Sequence, residues 1–461
     1  MNAVRPTRVL AAIFVLALAT SAQAYTFQKV LELNTSGLEA LGLPHLNDAG
    51  QVAFHGTSDG VNGIYVAEIG TAPQLVVDAT HPQFDSFDPF TFINNSGTVV
   101  GWAQNTTTDE QYIYTAAPGQ GADIIAQTNT TYDNFTSAPT INDDGLVAFA
   151  SNTRTRIHTR QYPDPPTTLL DTTGDFNTFW LPQINNDGAI SFFGIDDDKG
   201  AVYRRDDDGS LTTILDNQGE FTGLLPYSTP NSAGEVAIHA RRPGDPPSKW
   251  AIVRGDGGPV ETLAEAADHG FADSAFDLEI NDNGFVAFGP RMAADSSLAL
   301  YAHDGDDLHK VLQRGDALFG DTLRDVFFVR GLNQNNQVAF LYLLDNDEVG
   351  IGLTNLSLPQ LLPGDMNLDA AVNTADVAPF VLALTNPRAY MSQYGVDHAT
   401  MAELGDINGD GAFNTADVAP FVEMLVSGDA TVPEPGSLAL LGAAGLMLLG
   451  RGPRWQRGGR G

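Results

Sequence analysis

The chain has 461 residues, 43% of them hydrophobic, with 57 acids against 23 bases and a formal charge of -34. That length and apolar content allow two to four folded domains and exclude a wholly disordered chain, while the charge argues against nucleic acid or anionic lipid as a partner of the main body. There is no cysteine, which excludes disulfides and thiolate-held zinc, iron-sulfur or redox centres, so any metal falls to oxygen ligands or to the nine histidines.

Residues 1–24 carry Arg5 and Arg8, an apolar run from Val9 to Leu18, and Ala22-Gln23-Ala24 before Tyr25. A basic start, a short apolar stretch and a small-residue cleavage site predict a secretory signal peptide, with the mature chain beginning at Tyr25.

From 25 to 358 one pattern returns seven times: LNDAGQVAFHG, INNSGTVVGWA, INDDGLVAFAS, INNDGAISFFG, PNSAGEVAIHA, INDNGFVAFGP and LNQNNQVAFLY. The leading asparagines are Asn47, Asn94, Asn142, Asn185, Asn231, Asn281 and Asn333, spaced by 47, 48, 43, 46, 50 and 52 residues. Asn-x-x-Gly followed by an apolar segment is a tight turn feeding a strand, because Asn and Asp bond their own backbone and Gly supplies positive φ. In the last copy Asn336 replaces the glycine, as the residue that next best tolerates that conformation. A second strand follows in segments such as QYIYTA (111–116) and VGIGLTN (349–355), and a third apolar segment, such as PQLVVD (73–78), ends most copies. Three or four short strands per copy predict a mainly β fold, a seven-bladed β-propeller, with a sandwich or solenoid as the alternative. The repeat is similar to extracellular bacterial repeat families built around an I-N-D-x-G-x-V-a-f core, which implies localisation and fold.

The catalytic candidates in this region have simpler readings. Gly56-Thr57-Ser58-Asp59-Gly60 matches the nucleophile elbow only on paper, since it falls between two strands rather than between a strand and a helix. The acid clusters at 196–198, 206–208 and 304–307 read as solvated turns, with weak surface calcium sites as the second reading, and the scattered histidines have no zinc spacing. Aromatics before the turns, as in FDSFDPFTF (84–92), read mostly as core, with a carbohydrate-stacking face as the second reading.

Between 359 and 430 a short acidic segment occurs twice, GDMNLDAAVNTADVAPFVLAL and GDINGDGAFNTADVAPFVEML. The first places Asp365, Asn367, Asp369, Ala371, Asn373 and Asp376 at positions 1, 3, 5, 7, 9 and 12 of a loop; the second places Asp406, Asn408, Asp410, Ala412, Asn414 and Asp417 there. Side chains at 1, 3 and 5, a carbonyl at 7 and a carboxylate at 12 are what a hard cation requires, so each loop is a predicted Ca2+ site, two in all. Asn373 and Asn414 are placed to cap the helices that follow. A loop and one helix, repeated across a linker, resembles the type I dockerin and its paired EF-hand-like loops. That resemblance implies a small α-helical docking module and a cohesin-like partner. Two departures are Ala370 at position 6, where the second loop has Gly411, and early helix turns whose hydroxyls are Thr374 and Thr415 alone.

Residues 431–461 hold Val432-Pro433-Glu434-Pro435, an apolar run from Ser437 to Gly450, and a tail with Arg451, Arg454, Arg457 and Arg460. An apolar run closed by arginines suits a membrane helix whose basic end stays cytoplasmic. This end resembles the PEP-CTERM sorting signal, which implies a transmembrane sorting helix, a transient inner-membrane stage, cleavage by an exosortase-type enzyme and delivery to the cell surface or extracellular matrix.

These features together describe an exported binding or display protein whose propeller contacts a glycan or a protein. A polysaccharide-degrading hydrolase or lyase carried by a dockerin is the alternative, and a purely structural surface protein is the third reading. No catalytic residue is assigned.

Overall fold

The computed structural model describes residues 25–135, 137–197, 199–225, 229–244, 250–273, 278–356, 363–367, 372–394 and 398–427. The expected signal peptide and sorting tail, and Asp369 and Ala371 of the first loop, lie outside the described residues. The chain divides into two compact units, one of which is Tyr25–Ser357.

That unit is seven antiparallel blades in succession, a seven-bladed β-propeller, with a further two-stranded sheet of Phe271–Asp273 and Arg291–Met292. The second blade is typical: Ser86–Ile93, Val99–Gln104, Gln111–Ala116 and Asp123–Gln127 pair in sequence order. Each blade thus has an inner strand ahead of the Asn-x-x-Gly turn, where the sequence signal is weakest. The last blade takes its outer strand from the start of the chain: Phe27–Glu32 pairs with Val349–Asn355, Phe27 opposite Thr354 and Glu32 opposite Gly350.

The strand after each turn is apolar at consecutive positions because each sheet is covered on both faces by its neighbours. Val52, Ala53 and Phe54 are all 0% exposed, and so are Val338, Ala339 and Phe340. One core layer joins Ala53, Ile64 and Val77 of the first blade to Phe84, Val99 and Tyr112 of the second; the same arrangement fills the next interfaces, with Phe149 and Phe192 at corresponding places. Where the second blade has Gly101 in place of this phenylalanine, Tyr114 from the adjacent strand fills the space: a Cβ at Gly101 would lie 2.5 Å from its hydroxyl.

The second unit includes residues 363–427. Each acidic loop runs into a 3-10 turn and a helix, Thr374–Asp376 then Val377–Thr385, and Thr415–Asp417 then Val418–Ser427. The stretch read as a linker folds as two further helices, Pro387–Tyr394 and His398–Gly405, because Tyr390, Met401 and Leu404 give it apolar residues to bury beside Met366. Phe380 and Phe421, the same position of the two copies, stack with centroids 4.1 Å apart and planes 5° from parallel. Among the described residues no helix is long and apolar enough to cross a membrane.

Candidate functional site

The repeat asparagine has two jobs, of which only one is visible in sequence. Its Oδ1 accepts the N–H four residues on, as in Asn47 from Gln51 at 2.8 Å and Asn281 from Phe285 at 3.0 Å. That closes the turn, with the glycine at positive φ, 83° at Gly50 and 80° at Gly284, and with Asn336 at 58° as expected. The other arm leaves the blade. Nδ2 of Asn47, Asn94, Asn142, Asn185, Asn231 and Asn281 each donates to the backbone carbonyl of the next asparagine in that order, at 2.8, 3.0, 3.3, 3.4, 3.3 and 3.0 Å. Asn333 donates to Asn47 at 3.0 Å and completes a seven-membered ring about the axis.

A second ring lies one residue later. The N–H of Asp48 donates to Asn95 Oδ1, that of Asn95 to Asp143, and that of Asp143 to Asn186, at 2.7 to 2.9 Å. The N–H of Ser232 donates to Asp282, that of Asp282 to Gln334, and that of Gln334 to Asp48, at 2.6 to 2.7 Å. Asp48 and Asp282, at the second position of the Asn-x-x-Gly turn, therefore tie neighbouring blades together. Asn95 Nδ2 also lies 2.7 Å from Oδ2 of both Asp48 and Asp143.

Two residues before each asparagine the inner strand faces the axis, which brings His45, Phe92, Thr140, Thr229 and Glu279 into the wall of one cavity of about 190 Å³. Glu279 is 7% exposed, and its Oε1 accepts the Thr229 N–H at 3.1 Å. The His45 ring meets Phe92 edge-on at 4.5 Å. Burial, with Arg330 nearby, holds the His45 pKa down to about 3, so the imidazole is neutral at pH 7. Arg330, 5% exposed, lies over the Phe92 ring and donates to Gln183 Oε1.

Elsewhere the structure settles the candidates as framework. Gly56-Thr57-Ser58 belongs to the strand Val52–Ser58, and Asp59 and Gly60, at φ 51° and 73°, make the two-residue turn to Val61–Ala67. His239 is 1% exposed, with its pKa lowered to about 3 by burial. Sequence reading missed the contact of Ser151 Oγ with His158 Nε2 at 2.8 Å. Ser151 is 0% and His158 2% exposed, so this pair is a core clasp closed to any substrate.

In the second unit both loops close in the same way about position 12. Asp376 and Asp417 are each 0% exposed. Asp376 accepts the N–H of Asn367 and Asn373, both at 2.9 Å; Asp417 accepts those of Asn408 at 3.1 Å and Asn414 at 2.8 Å. Asn373 and Asn414 form the expected caps, accepting from Ala375 and Ala416. At position 1, Asp406 accepts from Asp410 and Gly411 at 3.0 and 2.7 Å, and Asp365 is 2% exposed. Ala412 N–H donates to Asp410 while its carbonyl accepts from Asn414 Nδ2. Among the described residues no three acidic or imidazole side chains are gathered in position to hold a metal ion.

Fold and axis together define a seven-bladed β-propeller locked by asparagine at one mouth of its channel. Among solved structures the chain is similar to a streptogramin B lyase structure, at 11% identity over 72% of this chain and 98% of that one, with a TM-score of 0.41. It is similar also to virginiamycin B lyase from Staphylococcus aureus, at 12% identity over 72% and 100%, TM-score 0.40. A third is oligopeptidase B from Leishmania major, at 10% identity over 69% of this chain and 50% of that one, TM-score 0.44. No protein-family model matches the chain, and no curated protein matches it.

Proposed function

We propose that the chain is an exported, surface-directed binding or display protein, in which the propeller contacts a glycan or other ligand and a calcium-ordered, dockerin-like module docks a cohesin-like partner. The observation that carries this reading is the identical closure of two loops about a fully buried aspartate. Between residues 363 and 427 the only lysine or arginine is Arg388, while Asp365, Asp376 and Asp417 are buried. Burying a carboxylate costs several kcal/mol, and a divalent cation on an all-oxygen donor set offsets that cost. Asp365, Asn367, Asp369, the Ala371 carbonyl and Asp376 would hold one calcium ion. Asp406, Asn408, Asp410, the Ala412 carbonyl and Asp417 would hold the other. On this reading the signal peptide, the PEP-CTERM-like tail and an exosortase-type enzyme bring the protein to the cell surface by way of the inner membrane.

The hydrolase or lyase alternative needs a carboxyl group free to give a proton. Asp48 and Asp143 flank one amide nitrogen, yet each of their four oxygens accepts a hydrogen bond from N–H, which suits framework anions. Binding is accordingly the stronger reading. Thermal unfolding of the full chain tests it: calcium raises the transition of the helical unit and EDTA lowers it, whereas identical curves with both would remove the calcium-ordered module.

A further inference from the structure

The two acidic loops close alike about position 12, yet they differ at their first arm. In the first loop the peptide that joins Met366 to Asn367, positions 2 and 3, is held at both ends. Its N–H donates to Asp376 Oδ1 at 2.9 Å, and its carbonyl accepts the Tyr390 hydroxyl at 2.9 Å in a buried bond. In the second loop the N–H of the corresponding peptide donates to Asp417 Oδ1 at 3.1 Å, and no side chain among the described residues donates to the Ile407 carbonyl.

Burial follows the same division. Asp365, Met366 and Tyr390 are all buried, and Met366 shares a core with Tyr390, Met401 and Leu404 of the two intervening helices. The Gly364 N–H donates to the Leu404 carbonyl at 2.7 Å, which ties the start of the loop to the second of those helices. At the matching places of the second loop Asp406 and Ile407 are half-buried, and Asn408 and Asp410 are exposed. The clamped peptide fixes the backbone that carries Asp365 and Asn367, and a donor set arranged in advance loses less freedom when the ion binds. The first loop is also the copy with Ala370 where the second has Gly411 for the sharp turn at position 6, so the braced loop is the one with the less favourable residue there.

We propose that Tyr390 is a positioning residue for calcium in the first loop. From the helix Pro387–Tyr394 its hydroxyl clamps the peptide between positions 2 and 3, so this loop holds its ion under protein cover and gives it up more slowly than the second loop does. The inference rests on the calcium reading proposed above and deepens it by making the two sites unequal.

Calorimetric titration of calcium into the calcium-free full chain tests it, with Asp417→Asn used to leave the first loop as the site measured. In that background Tyr390→Phe, which keeps the ring and removes the hydroxyl, weakens binding about tenfold, the loss of one buried hydrogen bond whose acceptor is left unpaired. Tyr394→Phe, one turn along the same helix, leaves the affinity unchanged. With both loops intact, Tyr390→Phe weakens one binding step and spares the other, whereas a general loss of packing would weaken both. Release of calcium to excess chelator, followed by stopped flow, needs no change at Tyr390 and serves if Tyr390→Phe does not fold. The wild type releases calcium in two phases, and Asp417→Asn keeps the slow one alone. Equal weakening of both steps, no change in Tyr390→Phe, an equal loss in Tyr394→Phe, or the fast phase alone in Asp417→Asn would each overturn the proposal and leave the calcium reading standing. A wild-type chain that binds no calcium would remove both.

Discussion

Replacing Asn281 by aspartate separates the two jobs of the ring asparagine. Asn281 is 1% exposed; its Oδ1 accepts from Asn283 and Phe285 at 3.1 and 3.0 Å, and its Nδ2 donates to the Asn333 carbonyl at 3.0 Å and to Asn336 Oδ1 at 2.6 Å. Aspartate keeps the acceptor, so the turn still closes, but it sets a carboxylate oxygen against that carbonyl. An uncompensated buried charge of this kind costs about 3–5 kcal/mol. Asn281→Ala removes both arms and orphans two or three buried groups, at about 1–3 kcal/mol each. Urea unfolding followed by tryptophan fluorescence reads the propeller, which contains Trp102, Trp180 and Trp250. Asn346→Ala, in an exposed turn, is the control and costs about 0.5 kcal/mol or less. The aspartate can escape its penalty by taking a proton and donating it to Asn333, so its folded pKa is raised. Its deficit relative to wild type therefore shrinks as pH falls from 7 to 5. A deficit no larger than the control's, or one independent of pH, would refute the ring as the lock of the fold.

Acid should weaken the propeller above the range where carboxylates titrate. His45 and His239 have folded pKa values near 3 against 6.5 when unfolded, so the unfolded chain binds more protons below pH 6.5. Stability is full above that pH and falls by about 1.4 kcal/mol per unit for each histidine down to the folded value; unfolding free energies at pH 6.5 and 5, with His239→Leu for comparison, check the slope. Tyr114 is 0% exposed with a hydroxyl that has no hydrogen-bond partner among the described residues, so Tyr114→Phe is neutral or stabilising in the same assay, while Gly101→Ala costs about 1–3 kcal/mol by overpacking against it. Phe421→Ala removes one ring of the stacked pair and costs the helical unit about 3–5 kcal/mol, visible as a lowered helical transition in circular dichroism.

Seven blades were legible because the turn makes a local demand. Positive φ at its fourth residue admits glycine or, at Asn336, asparagine, and the buried strand after it must be apolar at consecutive positions. The inner strands were not legible, since His45, Phe92, Thr140, Thr229 and Glu279 face an axis and follow no shared pattern. The ring itself joins residues 43 to 52 apart, and 286 apart where Asn333 meets Asn47, which no local argument reaches. One signal was nevertheless present. Aspartate or serine can close such a turn, yet all seven first positions are asparagine, while the next position varies among Asp48, Asn95, Ser232 and Gln334. The amide donor is the part that aspartate lacks, and the ring uses it. In the second unit the loop spacing and the caps were readable from local chemistry. The two intervening helices were not, because their apolar residues are sparse and acquire meaning only against Met366 and the paired phenylalanines.

Native mass spectrometry of the intact protein in calcium buffer, with Asp417→Asn beside the wild type, tests the docking module most directly. Two calcium ions on the wild-type chain and one retained in Asp417→Asn are the expected result. No bound calcium on the wild type, or the same stoichiometry in both proteins, would contradict it.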